Sequence, residues 1–574
     1  MHDGRRRRQF WPRTGAVGCA SAFVLPIILA SSMPARAAGN CADVAGYALP
    51  DTVITTAQEN PTGNGLPAHC EVIGRINQRI GADNLPFSIG FHLRMPDDWN
   101  GRFYFQGGGG TDGALPNSLG NGAPLGEPPV LPLGYAVIST DGGHDNTLDN
   151  DPNAGGTAAF GLDPQARIDY GYNALDRTTL TGKSIVTRYY GQEPRFSYFD
   201  GCSNGGRQGM VASQRFPNYF DGIVAGAPGF DLPKAAVAEA WNEQALAPLA
   251  TRTDVNGQPY LPDTFSDSDL QLTATAILAA CDGLDRLKDG IIDDYSACTT
   301  SRVLPQLEAA ECTGVKDASC LSAEQVNALS RIFASGARNS KDQPLYPRFP
   351  WDAGITGPTS LRLWSLGTPA QPGQPLVNNA LNLTLGGGSL PLVFVTPPVP
   401  VPVDQLAAYV FGFNFDTDAP KIYARTQTYT ESSMQFMTAR SPDRTAFRQN
   451  GGKMIIYHGL SDGVFSPFDT IGWYEAMNQR MGHADDFIRL FLVPGMGHCS
   501  GGPSTDSFSP FTALVNWVEK GIAPDSLIAT APAGTPWPGR TRPLCAYPTQ
   551  ARYSGSGNIE DPTNFVCAAP GGTP

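Results

Sequence analysis

Two separated segments of the chain place a cysteine beside a residue that could take part in acyl transfer. Cys202 precedes Ser203, and Cys499 follows His498. If Cys202 and Cys499 form a disulfide, their Cα atoms lie about 5.5–6 Å apart, and the neighbouring side chains come close enough to meet. A serine within hydrogen-bond reach of a histidine is the working pair of a serine acyl-transfer enzyme. The sequence therefore predicts Ser203 as a nucleophile and His498 as its base.

The serine lies in a short glycine pattern, 201–205, of the form G-x-S-x-G. In this pattern the glycines let a strand turn sharply into a helix and hold the serine exposed at the turn. An apolar strand is predicted before it, over 195–200, and a helix after it, over 206–214. The alternative is an ordinary structural turn, because a chain this rich in glycine contains such patterns by chance.

An acidic residue, Asp462, follows the predicted buried strand 453–458. An α/β hydrolase keeps the acid that orients its histidine just past the end of a strand, and the chain order Ser203, Asp462, His498 is the order of that fold. A role in a turn or a helix cap is the alternative for Asp462. His458 is the rival of His498 as the base, and we expect it to border the site and contact the substrate instead.

A run of glycines, 107–110, follows the predicted strand 102–105. Such a loop after an early strand is where hydrolases supply a backbone N–H to the oxyanion hole, and the N–H of Asn204 would be the second donor. Residues 108–113 also match the dinucleotide pattern G-x-G-x-x-G, but Pro116 disfavours the helix that this pattern requires. A flexible loop is the alternative.

Three carboxylates, Asp282, Asp285 and Asp289, occur within eight residues. They would repel one another if nothing compensated their charge. A calcium ion bound by oxygen ligands would remove this repulsion, although the spacing is not that of an EF-hand. We predict a calcium site here, with a solvated acidic turn as the alternative.

The first residues have the pattern of an export signal. Residues 5–8 are basic, 16–30 are apolar, and Ala35-Arg36-Ala37 fits small-x-small cleavage. Residues 1–37 are therefore predicted to be a cleaved signal peptide and the protein to be secreted or periplasmic. Residues 7–10 leave both Sec and twin-arginine export open. No other stretch is long and apolar enough to span a bilayer.

The predicted mature chain is strongly acidic. The leader carries six Arg and one Asp, so its removal lowers the formal net charge from −13 to about −18. This charge argues against nucleic-acid and anionic-membrane partners. We expect a small-molecule substrate as the partner and leave the oligomeric state open.

Eleven cysteines are present, of which Cys19 lies in the leader. An even remainder in an exported protein predicts a disulfide framework. Many connectivities are possible. Sequence order suggests four local pairs and, by elimination, one long-range pair, namely Cys41–Cys70, Cys281–Cys298, Cys312–Cys320, Cys545–Cys567 and Cys202–Cys499.

Strands alternate with helical stretches over about 85–230 and again over 453–518, which predicts a parallel sheet covered on both faces. Helices are predicted over 176–190, 471–481 and 511–518 as well. Between these regions the alternation stops, and helices are separated by Cys-rich and Pro/Gly-rich loops, such as 386–403.

The predicted fold class is α/β, an α/β-hydrolase sheet with a large inserted lid domain. We assign 38–230 and 445–574 to the catalytic domain and 231–444 to the lid, which would carry the calcium site.

Together, these motifs resemble the tannase and feruloyl esterase family of α/β hydrolases. In that family a disulfide joins the neighbours of the catalytic serine and histidine. The resemblance implies a triad of Ser203, His498 and Asp462, with Gly110 as the oxyanion glycine. It also implies a structural calcium held by three side chains and two backbone carbonyls, from Asp282, Asp285, Asp289, Leu287 and Ile291.

Three segments, 461–466, 493–502 and 541–545, are similar to the branch of that family that hydrolyses mono(2-hydroxyethyl) terephthalate. The resemblance implies that Phe465 and Leu232 form apolar walls for an aromatic ring. That branch holds the free carboxylate of its substrate with a lid arginine, but the corresponding segment here, 384–389, has none. Since arginine is the side chain suited to bidentate carboxylate binding, its absence argues against a terephthalate monoester.

We therefore predict an exported serine carboxylesterase that acts on esters of hydroxycinnamic or related phenolic acids through an acyl-enzyme. Two alternatives belong to the same class of enzyme. One is hydrolysis of mono(2-hydroxyethyl) terephthalate, and the other is hydrolysis of gallate esters, the reaction of a tannase. A secreted binding protein without catalysis is an alternative of another class.

Overall fold

A nine-stranded mixed sheet forms the centre of the molecule in a computed structural model that describes residues 39–121 and 126–571. The predicted signal peptide lies outside the described residues. The described strands, numbered in chain order, are β1 (Thr52–Asn60), β2 (His69–Ile80), β3 (Pro86–Pro96), β4 (Arg102–Gln106), β5 (Ala136–Thr140), β6 (Phe196–Cys202), β7 (Gly222–Gly226), β8 (Lys453–Gly459), β9 (Ile488–Val493), β10 (Ser526–Thr530), β11 (Thr541–Cys545), β12 (Gln550–Tyr553) and β13 (Phe565–Ala568).

Within the large sheet the strand order is β1-β2-β3-β5-β4-β6-β7-β8-β9. The six strands from β5 to β9 in this order are parallel neighbours. In contrast, β1, β2 and β3 pair antiparallel, and β3 is antiparallel to β5. The prediction of a wholly parallel sheet was therefore wrong for this edge. The reason is that short turns join β1 to β2 and β2 to β3, and short turns connect only antiparallel neighbours.

Helices cover the sheet and fill the long connection between β7 and β8. In chain order they are α1 (Pro164–Ile168), α2 (Ala174–Tyr190), α3 (Asn204–Arg215), α4 (Leu232–Leu246), α5 (Asp267–Cys281), α6 (Thr300–Ala309), α7 (Ala323–Ser330), α8 (Gly387–Ser389), α9 (Leu406–Gly412), α10 (Ser433–Phe436), α11 (Thr445–Gln449), α12 (Pro467–Met481) and α13 (Pro510–Lys520). The helices predicted around Ser203 and after 467 are confirmed as α2, α3, α12 and α13.

Both faces of the sheet are covered, because the central strands are buried along their length. Every residue of β7 is buried, as expected for a parallel strand between two layers. On one face α2, α3 and α12 contribute Val186, Met210 and Met477 to the core. On the other face α13 contributes Leu514 and Trp517. Burying each such side chain stabilises the fold by roughly 1.5–3 kcal/mol.

The chain between β7 and β8 packs around a second hydrophobic core, which includes Leu329 and Trp351 and is shared with Phe160 and Tyr170. Segment 386–403, predicted as a Pro/Gly-rich loop, is instead helical as far as Phe394. Because Leu390 and Val393 are buried in this core, tertiary packing overrides the low helix propensity of the glycines.

Five disulfides are formed, and they are the pairs that sequence order suggested, namely Cys41–Cys70, Cys202–Cys499, Cys281–Cys298, Cys312–Cys320 and Cys545–Cys567. The last of them lies in a C-terminal region where β10 pairs with β11 and β12 with β13, two small sheets that the sequence patterns did not predict. Across the described ranges, no helix is long and apolar enough to cross a membrane.

Candidate active site

Ser203 occupies the sharp turn between β6 and α3, near the middle of the sheet. Its backbone has φ 64° and ψ −123°, a region that residues with side chains rarely adopt. Hydrogen bonds hold the turn, since the Ser203 N–H donates to the Gly226 carbonyl at 3.0 Å and its carbonyl accepts from the Arg207 N–H at 2.9 Å. The turn presents the serine at the carboxyl edge of the sheet, as the G-x-S-x-G pattern predicts.

Glycines are required at this turn because three backbone segments meet there. A Cβ atom on Gly201 would lie 2.9 Å from the backbone of Gly205 and 3.0 Å from the Cα of Gly107. A Cβ atom on Gly205 would lie 2.7 Å from the carbonyl oxygen of Gly108. The glycines therefore allow the glycine loop to pack directly against the serine turn.

The Cys202–Cys499 disulfide joins the serine turn to the loop that follows β9. The two Cα atoms are 6.0 Å apart, although 297 residues separate them in the sequence. The bond therefore holds Ser203 and His498, the adjoining residues, at neighbouring positions on the carboxyl edge of the sheet.

His498 and Asp462 form a buried hydrogen-bonded pair. The Nδ1 atom of His498 lies 2.7 Å from Oδ2 of Asp462, and Oδ1 of Asp462 accepts bonds of 2.9 Å from the N–H groups of Val464 and Phe465. Burial alone would raise the pKa of Asp462. The charge of His498 and hydrogen bonds from His458 and His498 outweigh it and hold this pKa well below its usual range. Asp462 is therefore a carboxylate at neutral pH.

The second ring nitrogen of His498 is left free. Nε2 is buried and has no hydrogen-bond partner within the described part of the chain. The ring lies edge-on to Trp364 and Phe465, with centroid distances of 4.9 and 5.2 Å. Because Nδ1 is engaged by Asp462, Nε2 is the nitrogen available to accept a proton.

Two backbone N–H groups are positioned as candidate oxyanion donors. Gly110 has φ 55° and lines the same cavity as Ser203. Its carbonyl accepts a 3.0 Å hydrogen bond from the Tyr170 hydroxyl, which fixes the peptide. Asn204 is the first residue of α3, so its N–H has no partner inside the helix.

A hydrogen-bond network around Asp112, which sequence inspection missed, fixes both donor segments. The Asp112 carboxyl accepts from the side-chain amides of Asn204 and Gln208, and the Gln208 side-chain oxygen accepts from the Gly108 N–H at 3.0 Å. Arg207 donates to the Asn204 side-chain oxygen at 2.7 Å. Burial raises the pKa of Asp112 to about 7, against the opposing effects of Arg207 and the amides. The sequence signal that could have revealed this network is a carboxylate two residues after the glycine run.

The cavity at Ser203 is lined mainly by apolar and aromatic side chains. The space between these walls and at the open mouth amounts to about 430 Å³. The predicted walls Leu232 and Phe465 both belong to it. The described residues that line it include no Lys or Arg and are Gly110, Thr111, Tyr170, Ser203, Asn204, Leu232, Glu239, Trp364, Leu385, Gly386, Ser389, Phe394, Val464 and Phe465.

A segment from the long β7–β8 connection, 352–364, holds the loop of Asp462 and the loop of His498 together. Asp352 accepts hydrogen bonds from the Ser461 hydroxyl at 2.5 Å and from the Gly495 N–H at 3.1 Å. The carbonyl of Thr359 accepts from the His498 N–H at 2.9 Å. No local pattern indicated these contacts, because each joins residues more than a hundred positions apart in sequence.

His458 was expected to border the site and contact the substrate, but the structure places it behind Asp462. Its side chain is 0% exposed. Its Nδ1 lies 2.9 Å from the Thr470 hydroxyl and its Nε2 3.2 Å from Oδ2 of Asp462. Because no part of the ring reaches the cavity, His458 is a partner that orients Asp462 rather than a substrate contact.

The predicted calcium ligands lie together in the loop after α5. The Asp282 carboxylate accepts from the N–H groups of Asp289 and Gly290, and Asp285 accepts from the N–H of Leu287 at 2.9 Å. Asp289 has a second role, because it forms ion pairs with Arg540 and Arg542. Within residues 39–121 and 126–571, no three His, Cys, Asp or Glu side chains are arranged to hold one metal ion.

The carboxylates of this loop are nevertheless crowded and poorly solvated. Burial, together with the neighbouring Asp289, raises the pKa of Asp285 to about 7. Burial and the carboxylates of Asp285 and Asp289 raise the pKa of Asp293 well above its usual range. The donor chemistry therefore suits a hard cation, although the side chains are not gathered around one point. Ile291 contributes its N–H to Asp289 at 3.1 Å.

Comparison with known proteins agrees with this geometry. A family model described as tannase and feruloyl esterase matches residues 70–568. The chain belongs to the tannase and feruloyl esterase family. Members of this family include esterases with solved structures, and the fold is accordingly that of an α/β hydrolase.

Relatives within the tannase and feruloyl esterase family cover most of the chain. The chain is 49% identical over 524 residues to mono(2-hydroxyethyl) terephthalate hydrolase of Piscinibacter sakaiensis. The matched region covers 88% of this chain and 85% of that protein. A solved esterase from Aspergillus oryzae is 25% identical, with a TM-score of 0.70 over 92% of this chain and 99% of its own. Feruloyl esterase B from the same organism is 23% identical, with a TM-score of 0.68 over 91% and 98%.

This family membership establishes the protein as a carboxylic ester hydrolase, because its relatives are named esterases and hydrolases. The alternative of a binding protein without catalysis is therefore set aside.

Proposed function

We propose that the protein hydrolyses esters of hydroxycinnamic or related phenolic acids, with Ser203, His498 and Asp462 as its catalytic triad. One observation carries the proposal. The strained serine turn and the buried His498–Asp462 pair are joined by a disulfide at a cavity with aromatic walls. Aromatic walls suit an aromatic acyl group, because ring-to-ring contacts bury a large apolar area.

In this mechanism the Ser203 hydroxyl attacks the ester carbonyl carbon while Nε2 of His498 takes the proton. The Nδ1–H of His498 donates to Asp462, which stabilises the imidazolium that forms. His498 then gives its proton to the departing alcohol, and an acyl-enzyme on Ser203 remains. Water attacks the acyl-enzyme with His498 again as base, and the free acid is released.

The developing oxyanion is stabilised by the backbone N–H groups of Gly110 and Asn204. Such donors are effective because they are already oriented before the reaction. Here Asp112 and Tyr170 supply that orientation, one through the side chain of Asn204 and the other through the carbonyl of Gly110.

Hydrolysis of mono(2-hydroxyethyl) terephthalate is the second candidate, and the 49% identity to that hydrolase favours it. The cavity wall opposes it, because its described lining residues include no Lys or Arg to pair with the free carboxylate of that substrate. Gallate esters are a third candidate within the same chemistry.

Two further proposals concern the rest of the chain. We propose that 231–444 acts as a lid domain, since it supplies Leu232, Trp364 and Phe394 to the cavity wall. We also propose export through cleavage of 1–37, which agrees with the five disulfides, a feature typical of oxidising compartments.

A structural calcium ion is also proposed in the loop after α5. The residues that would hold it are the carboxylates of Asp282, Asp285 and Asp289 and the carbonyls of Leu287 and Ile291. When bound, the ion would offset the mutual repulsion of the carboxylates. It would take no part in the hydrolysis.

The test is hydrolysis of methyl ferulate, methyl gallate and mono(2-hydroxyethyl) terephthalate by the oxidised, calcium-loaded protein. We expect the phenolic esters to be cleaved and Ser203→Ala to be inactive, while the exposed Ser556→Ala keeps full activity. Labelling by a serine-directed phosphonate should depend on Ser203. The proposed mechanism fails if Ser203→Ala is as active or as strongly labelled as the parent protein.

A further inference from the structure

Glu239 is a carboxyl group in the cavity wall that the hydrolysis mechanism does not use. It lies on α4, seven residues after Leu232, so both side chains fall on the same face of the helix. Both line the cavity together with Ser203. Glu239 is only 7% exposed, and it lines the cavity with that exposed part.

The Glu239 carboxyl has no hydrogen bond or ion pair with any residue that the structure describes. A buried polar group without a partner is costly, and such groups are normally satisfied by water or a ligand. Burial raises the pKa of Glu239 to about 8, so the group is mostly protonated at pH 7 and can both donate and accept a hydrogen bond.

The position opposite Glu239 is shaped to admit this carboxyl. A Cβ atom on Gly386 would lie 2.2 Å from Oε2 of Glu239, so any side chain there would displace the group. The backbone of Gly386 is helical, with φ −63° and ψ −43°, and any residue can adopt it. Glycine at 386 therefore leaves the space that the carboxyl occupies, while its backbone conformation places no demand on the residue type.

Three other polar side chains in the wall are already engaged, whereas the Nε1–H of Trp364 has no hydrogen-bond partner among the described residues. The Ser389 hydroxyl donates to the Leu385 carbonyl at 2.8 Å, and the Tyr170 hydroxyl donates to the Gly110 carbonyl at 3.0 Å. The side-chain amide of Asn204 is bound by Asp112. Glu239 is thus an uncommitted hydrogen-bonding group in a wall that is otherwise mainly apolar.

We propose that Glu239 binds the phenolic hydroxyl of the acyl group and so selects hydroxylated aromatic acids over acids that carry a second carboxylate, an inference that rests on the proposed function. A phenol can donate to or accept from the carboxyl. A free carboxylate in the same place can accept from the protonated carboxyl, but it brings a full charge into an apolar wall with no cation beside it and is repelled once Glu239 ionises. A site built to bind a hydroxyl discriminates strongly against the analogue that lacks it.

The first test compares methyl 4-hydroxycinnamate with methyl cinnamate, which lacks the hydroxyl. We expect the native enzyme to prefer the hydroxylated ester by roughly 10–100-fold in kcat/KM, the range of one well-placed hydrogen bond. In Glu239→Leu this ratio should fall below about 3. Glu243→Gln is the matched control, because Glu243 lies one turn along α4, is fully buried and bonds to Asn382 instead. Its ratio should match the native one.

The second test uses pH and an isosteric variant. As Glu239 ionises around pH 8, it still accepts a bond from a phenol but repels a carboxylate. The preference for methyl 4-hydroxycinnamate over mono(2-hydroxyethyl) terephthalate should therefore rise between pH 6 and 8, a range in which the phenol itself stays protonated, and Glu239→Gln should make it flat. The other titratable groups near the cavity do not alter this. Burial raises the pKa of Glu243 and Tyr170 well above their usual ranges. Asp112, whose pKa burial raises to about 7, positions the oxyanion donors that both esters share, so its ionisation does not change their ratio.

The outcomes separate this inference from the proposed function. An unchanged ratio in Glu239→Leu, or a pH-dependent ratio that persists in Glu239→Gln, overturns the role of Glu239 while hydrolysis stands. If no ester is cleaved and the phosphonate does not label Ser203, the proposed function fails instead. If Glu239→Leu does not fold, the pH comparison with Glu239→Gln decides the matter alone.

Discussion

At the scale of single residues, the environment of Asp462 determines which nitrogen of His498 can work as a base. Two backbone N–H groups and the rings of His458 and His498 surround its carboxylate. With Nδ1 of His498 held in this way, Nε2 is the nitrogen left for the proton transfer that we propose. His458, which the sequence presented as a rival base, supports Asp462 from behind.

Replacing Asp462 by asparagine should therefore remove the interaction that orients His498 while a side chain of nearly the same size still fills the position. We expect kcat of Asp462→Asn to fall by about 10⁴-fold with little change in KM, because the wrong tautomer of His498 is favoured. Steady-state kinetics on methyl ferulate measures both. Asp485→Asn, at an exposed carboxylate, is the control, and a loss of less than about tenfold in Asp462→Asn would contradict the triad.

Asp112 acts one step away from the reacting atoms, as a positioning residue for the oxyanion donors. Its two oxygens accept from two different amides of α3. In Asp112→Asn the new side-chain NH2 group would replace one of these acceptor oxygens, so one of the two amides would face a donor instead of an acceptor. We expect kcat to fall roughly 10–100-fold with KM changed less than about threefold, since the transition state is affected more than substrate binding. Asp98→Asn, at an exposed position, should behave like the native enzyme, and an equal rise in KM would show that Asp112 only shapes the pocket.

At the scale of elements, the site is assembled where strands and loops end. β6, β8 and β9 bring the serine turn, the Asp462 loop and the His498 loop to one edge, and segment 352–364 binds the last two together. The Cys202–Cys499 disulfide joins the first to the third.

Removing that disulfide should loosen the triad as well as the fold. In the double variant Cys202→Ser and Cys499→Ser we expect a loss of roughly 3–5 kcal/mol in unfolding free energy, because the bond closes a very long loop, and a drop in kcat of at least about tenfold. Urea unfolding and kinetics on the same samples test both. The matched control is Cys312→Ser with Cys320→Ser, whose bond spans only 8 residues and should leave kcat unchanged. Native kcat in the Cys202/Cys499 variant would refute the positioning role of the bond.

At the scale of the whole molecule, the acidic loop after α5 is held from two directions. The Cys281–Cys298 disulfide closes it within the β7–β8 connection. Arg540, Arg542 and Arg552, from the C-terminal region, form ion pairs with Asp289 and Asp294. The conformation of the acidic loop is therefore linked to the C-terminal region, which is far from the loop in sequence.

Chelation by EDTA tests the proposed calcium ion in this loop. We expect Tm to fall by roughly 5 °C and to be restored by calcium but not by the same concentration of magnesium, because a ligand of the native state stabilises it and the flexible oxygen set suits the larger ion. Differential scanning calorimetry measures the shift. Asp282→Asn with Asp285→Asn should lose the response to chelation, and a native Tm that EDTA leaves unchanged would refute the site.

Several features of the protein were determined by local sequence. The G-x-S-x-G turn and the helices that follow the strands were readable, because each depends on neighbours within a few residues. The chain order of Ser203, Asp462 and His498 can be read from the sequence directly. The even set of cysteines made the Cys202–Cys499 pair deducible by elimination.

Other features were decided only by tertiary structure. Residues 382–394 are helical despite their glycines, because Leu390 and Val393 are buried in the hydrophobic core between β7 and β8. His458 lies behind Asp462, and Asp112 and Asp352 face their partners through contacts that connect distant parts of the chain. No local pattern encodes such contacts. They arise because buried polar groups must find hydrogen bonds wherever the packed chain brings a partner within reach.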